Sequence, residues 1–124
     1  MSEIIATPTA PKAPSCYSQA VKTAGLIFVS GTAPIDPETG QFVTGVKPQV
    51  AQCLRNISAI LEAAGSSLQK AVSATLILAN EDDFCDANEE WMRWFPENPP
   101  ARQGAKMPVH IRGLKVSIAM IAEA

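Results

Sequence analysis

The clearest pattern in the chain is a run of apolar positions at three-and-four spacing. Val46, Val50, Cys53, Leu54, Ile57, Ile60, Leu61 and Ala64 fall on one side of a helix. Gly65 follows, a residue suited to the left-handed stop of a helix. Gln52, Arg55 and Glu62 fall elsewhere on that helix and are expected to meet water. Leu26–Gly31 is a short run of β-formers between glycines and predicts a buried strand. Ala71–Ala79 predicts a second. Asp82 and Asp83 are candidate caps for a second helix, Phe84 to Phe95, with Phe84, Ala87, Trp91 and Phe95 as its apolar stripe and Pro96 as its end. Leu114–Ala122 alternates and predicts a last strand, with Leu114, Val116, Ile118 and Met120 on one side and Lys115, Ser117, Ala119 and Ile121 on the other. Pro34–Gly40 and Glu97–Pro100 are loops by composition. Residues 1–14 are expected to form an extended arm, punctuated by Pro8, Pro11 and Pro14.

The order strand, helix, strand, helix, strand implies an α+β layer sandwich with two helices on one face of a sheet. A chain of 124 residues suits one domain, 1–124, and leaves nothing to cover the other sheet face, so self-association is expected.

Composition narrows the function. A formal net charge of -2 and a pI near 5.3 provide no basic field for a phosphate backbone, so nucleic acid is not an expected partner. A single histidine excludes a multi-histidine metal site, and no metal is expected. The three cysteines, Cys16, Cys53 and Cys85, are widely spaced and read as reduced thiols of a cytoplasmic protein. No stretch is apolar enough for a membrane span, and the first residues lack the marks of a secretory signal.

Phosphate-cradling loops and the GxSxG elbow are absent. His110, among Pro108, Val109 and Ile111, reads as a structural or solvent-exposed residue. Asp82-Asp83 and Glu89-Glu90 fit capping and a solvated helix face, and Trp91 and Trp94 fit core or interface anchors. Arg102 differs from these. It follows the stiff Pro99-Pro100 pair and precedes a glycine by one residue, so a pre-set backbone can project its guanidinium. A guanidinium is suited to two-point capture of a carboxylate. An ordinary surface arginine is the alternative that spacing leaves open.

Several blocks together resemble the RidA (YjgF/YER057c/UK114) family. They are Cys16-Tyr17-Ser18-Gln19-Ala20-Val21-Lys22, Leu26–Gly31, Pro34–Gly40, Leu61–Leu68, Asp83-Phe84 with Asn88, and Pro100-Ala101-Arg102. The resemblance implies a chorismate-mutase-like α+β subunit with a mixed sheet, assembled as a homotrimer with small-molecule clefts between subunits. It implies hydrolysis of 2-imino or enamine carboxylic acids to 2-oxo acids and ammonia, without a cofactor. Arg102 would then bind the substrate carboxylate, and Tyr17, Ser30, Gly31 and Asn88 would border the cleft.

The chain departs from the family pattern at Gln103 and Gly104, where Ser or Thr and then often a cysteine stand. It departs again in the last strand, where Ser117 stands for a water-positioning glutamate and Ala119 for a second acidic residue. Met107-Pro108 interrupts the strand after Arg102, making that segment an edge or a rebuilt stretch. Ser117 can orient water but is a very weak base. A trimer that binds small carboxylates without turnover, or acts on a larger substrate, is the alternative this leaves open.

Overall fold

The computed structural model describes all 124 residues. Six strands form one mixed sheet: β1 (Glu3–Ile5), β2 (Ala20–Thr23), β3 (Leu26–Thr32), β4 (Ala71–Leu78), β5 (Ala101–Lys106) and β6 (Val116–Glu123). Their order is β1-β2-β3-β6-β4-β5. Only the β4–β5 pair is parallel. Two helices, α1 (Val46–Ala63) and α2 (Phe84–Trp94), lie on one face, α1 against β3 and β6 and α2 against α1. No helix is long and apolar enough to cross a membrane.

The expected α1 stripe is buried in full, with Val50, Cys53, Leu54, Ile57 and Leu61 fully enclosed. Burying each large aliphatic side chain contributes about 1.5–3 kcal/mol. Pro48 sits in the first turn, where a missing N–H costs nothing. At the other end Gly65 takes φ +85°, and the Gly65 and Ser66 amides donate to the Glu62 and Leu61 carbonyls. That pairing is the Schellman closure, and it requires a residue tolerant of the left-handed region.

Several expectations need correction. The arm is not wholly free, because Glu3–Ile5 pairs antiparallel with β2. The proline-free start of the arm can form the ladder, and the prolines that follow prevent its extension. β1 and β2 are too short to carry a readable alternation, and β5 has no alternation at all: it is a strand through its backbone pairing with β4. It lies at the sheet edge and stops at Lys106, before Pro108. The last strand starts at Val116, not Leu114, because Gly113 holds φ +84° just ahead of it.

Gln52 is buried, not solvated, and its amide donates to Asn56 Oδ1. Asn80, not Asp82 or Asp83, supplies the side-chain cap: its Oδ1 accepts from the Asp82 amide at the start of a single 3-10 turn leading into α2. Asp83 makes no side-chain cap bond. Phe84 is 48% exposed, so the buried stripe of α2 is Ala87, Trp91 and Phe95. Trp94 is only partly buried. His110 is exposed, as expected.

The face without helices stays open. Ile4, Val21, Phe28 and Ile121 form one row across β1, β2, β3 and β6, and all are partly or largely accessible. Ser117, Thr75 and Gln103 share that face.

Candidate functional site

Arg102 is the second residue of β5 and pairs with Ala74 of β4, whose side chain belongs to the helix-covered core. Its side chain therefore leans toward α2. Nη2 donates to Asn88 Oδ1 at 2.6 Å. The guanidinium carbon lies 5.1 Å from the Trp91 ring centroid and 5.8 Å from that of Phe84. Phe84, Asn88 and Trp91 follow one another at spacings of four and three, so they share a face of α2 and converge on a single cation. The ion pairs of the chain are Lys47–Glu89 and Arg93–Glu90, and Arg102 belongs to neither. Partial burial holds its guanidinium below the ordinary arginine value, though it stays cationic at any physiological pH. A half-desolvated cation without an anion, steadied by an amide and two rings, is arranged to receive a carboxylate.

Around Arg102 lies a groove of about 790 Å³, bordered by Leu76, Leu78, Phe84, Gly104, Lys106 and Glu81 among others. Gln103 points to the opposite face, where its Nε2 donates to Thr75 Oγ1 at 2.6 Å.

Tyr17, Ser30 and Gly31 come together elsewhere, in a smaller hollow of about 170 Å³ beneath the arm. Ser30 Oγ donates to the Ser18 carbonyl at 2.6 Å, and the Ser30 amide donates to the Gln19 carbonyl. The ladder between β3 and β6 slips between Val29 and Thr32, and this irregularity lets Ser30 and Gly31 leave the regular pleat. Ser117 adjoins them: a Cβ on Gly31 would lie 3.4 Å from Ser117 Oγ. Ser117 pairs with Ile77 on the open face, so it points away from Arg102.

The site residues thus form two groups. Arg102 and Asn88 make one; Tyr17, Ser30, Gly31 and Ser117 make the other. β6 and β4 stand between β3 and β5, so Ser30 and Gly31 lie three strand spacings from Arg102, roughly 14 Å, and Ser117 on β6 lies two, roughly 10 Å, and on the opposite face. One protomer does not bring them together.

Sequence reasoning missed the roles of Phe84 and Trp91 and the position of Lys12. Phe84 is expected in the apolar stripe and Trp91 in the stripe or as a core or interface anchor, although their spacing with Asn88 is a signal for a shared platform. Lys12 borders the Tyr17 hollow and has no ion pair in the chain; as one residue of a proline-rich arm it carries no such signal.

The layered α+β subunit, with a mixed sheet and one buried-edge arginine, defines the class. The family model described as Endoribonuclease L-PSP matches residues 7–124. The chain belongs to that family, the RidA (YjgF/YER057c/UK114) family. It is 42% identical over 123 residues to a RutC family protein of Pyrococcus horikoshii, covering 98% of each chain. It is 38% identical to the 2-iminobutanoate/2-iminopropanoate deaminase of Mus musculus, covering 97% of this chain and 90% of that one. Among solved structures, RidA from the Antarctic bacterium Psychrobacter sp. superposes with a TM-score of 0.92 at 37% identity, over 98% of this chain and 99% of that one. Escherichia coli TdcF with bound serine superposes with a TM-score of 0.91 at 30% identity, over 98% of each.

Proposed function

We propose that the chain hydrolyses 2-imino and enamine carboxylic acids to 2-oxo acids and ammonia, with Arg102 holding the substrate carboxylate. The observation that carries this reading is the unpaired, half-buried Arg102 guanidinium braced by Asn88, Trp91 and Phe84. Relatives named imine deaminases support it, as does the serine held by TdcF, an amino acid that bears the same carboxylate.

The chemistry suits a site without a strong base. Water adds to the carbon of the protonated C=N bond and passes one proton to nitrogen; the C–N bond then breaks as the remaining hydroxyl proton leaves to solvent, releasing ammonia and leaving the carbonyl. Electrons balance without an oxidant, so no cofactor is required. The iminium carbon is already electrophilic, and the protein's main task is to fix the carboxylate and place the water. Orientation of this kind can lower a barrier by several kcal/mol. Ser117 Oγ, beside Gly31, orients the water in this reading, and Tyr17 and Ser30 border its approach.

Because Arg102 and Ser117 stand on opposite sheet faces, the cleft is completed between copies of the chain. A homotrimer that pairs the β5 edge of one copy with the Tyr17 hollow of the next satisfies both groups, and it covers the row Ile4, Val21, Phe28 and Ile121. We place its action in the cytoplasm, on the strength of three cysteines without a disulfide.

The test generates the imino acid in place with an amino-acid oxidase and follows its decay. The wild-type chain accelerates decay, and Arg102→Ala lowers kcat/KM about a hundredfold or more, the scale of removing one partner from a desolvated charge pair. Equal decay with wild type, variant and buffer refutes the reading. A solution mass other than that of three chains refutes the trimer.

A further inference from the structure

Building on that reading, we infer that the Arg102 groove selects 2-imino acids with bulky apolar side chains, and that Gly104 is the residue that makes room for them. Side chains of a strand alternate, so Arg102, the Gly104 position and Lys106 face the same way along β5. Their β4 partners on that side are Ala74, Leu76 and Leu78. A substrate clamped at Arg102 therefore has Gly104 as its next neighbour along the edge, with Leu76 and Leu78 below and Phe84 beside it.

Nothing in the backbone demands glycine there. Gly104 is not among the residues with positive φ, and a Cβ would meet only the Leu76 carbonyl oxygen, at an ordinary 3.6 Å. The consequence of glycine is space. In the single chain the groove of about 790 Å³ is open on the side where the next copy docks in the proposed trimer, and the missing side chain at 104 leaves its wall recessed between Arg102 and Lys106.

The charges at the far end are of opposite sign and set no preference of their own, so the apolar lining decides. Lys106 and Glu81 both border the groove there, so a distal anion meets opposing charges, while Leu76, Leu78 and the exposed Phe84 ring offer apolar contact.

The experiment compares imino acids made in place from alanine, leucine and phenylalanine. Each methylene accommodated in an apolar pocket is worth about tenfold or more. The wild-type chain is expected to show kcat/KM for the leucine- and phenylalanine-derived substrates at least tenfold above that for the alanine-derived one. Gly104→Val lowers that ratio by a further tenfold or more, and Gly104→Ala lowers it by a smaller step, so that a poorly folding valine variant still leaves a graded comparison. A wild-type ratio near one, or a ratio that both variants leave unchanged, overturns the inference while the hydrolase reading stands. No acceleration with any of the three substrates overturns both.

Discussion

The two polar hollows of this subunit are held in different ways. Arg102 is positioned by side chains: an amide and two aromatic rings from α2 meet a residue on an edge strand. The Tyr17 hollow is positioned by the backbone. Gln19, buried beneath the arm, accepts from the Thr7 amide at 2.7 Å and donates to the Thr7 and Pro11 carbonyls, and Ser30 is tied to Ser18 and Gln19. One hollow carries a charge on a rigid shelf; the other carries hydroxyls on a pinned loop. An iminium hydrolysis needs both, a grip on the carboxylate and a place for water, and the fold puts the first on an edge strand and the second around the central strands β3 and β6. The contrast makes assembly part of the chemistry, and it can be broken by experiment.

The largest effect comes from separating the two hollows genetically. Arg102→Ala and Tyr17→Ala are each expected to be nearly inactive. If the two groups in a working cleft come from different protomers, refolding an equal mixture restores roughly a quarter of the sites, because one in four interfaces then joins an intact Arg102 to an intact Tyr17. Recovery is read from imine decay after mixing. No recovery shows that the cleft is not shared, and it breaks the comparison outright.

A smaller effect tests the shelf beneath Arg102. Asn88→Ala removes the amide that fixes the guanidinium, and a hydrogen bond to a charged group contributes about 1.5–3 kcal/mol. The expected result is a fall of about tenfold in kcat/KM, carried mainly by KM, with the melting temperature nearly unchanged. Asn88→Asp keeps the acceptor but supplies a carboxylate that pairs with Arg102, so it is expected to raise KM further and not to rescue, whereas a loss of thermal stability in the alanine variant would assign Asn88 a structural role instead.

The difference between the hollows also explains what could be read in advance. The α1 stripe was legible because its apolar residues recur at helical spacing and the whole set is buried against β3 and β6. Arg102 was legible as a candidate from its neighbours Pro99, Pro100 and Gly104. Gln49 was not. It is almost wholly enclosed, its amide donates to the Val43 and Gly113 carbonyls, and its Oε1 accepts from the Lys115 and Val116 amides. A polar residue on a helix reads as solvated unless its partners are known, and these lie up to 67 residues away. β5 carried no signal of its own and entered only through the family resemblance, since Ala101–Lys106 has no apolar alternation and takes its shape from β4. The separation of Arg102 from Ser117 was hidden too, because it depends on pairing registers and not on composition.

The smallest effect concerns what holds α2, and with it the shelf, against α1. Lys47 on α1 and Glu89 on α2 are bonded at 2.6 Å, and both side chains are largely in water. The hydrogen bond and charge of Lys47 hold the Glu89 carboxyl below its ordinary value, and Glu89 holds the Lys47 ammonium above its own. A carboxyl depressed in the folded state binds fewer protons there than when unfolded. Its contribution is therefore complete above the ordinary carboxylate pKa and is lost as pH falls through the depressed one. The lysine contribution is complete below the ordinary ammonium pKa and is lost as pH rises through the raised one. Between those limits the pair adds little, since water and salt screen exposed charges. Glu89→Gln is accordingly expected to leave the melting temperature at neutral pH within about a degree or two of wild type, with the two curves converging as the pH falls into the acid range. Imine decay is expected to match wild type, because buried Trp91 and Phe95, with ring centroids 4.8 Å apart, pack α2 into the core. A large loss of activity in Glu89→Gln would mean that a surface ion pair, and not the aromatic packing, sets the position of the guanidinium.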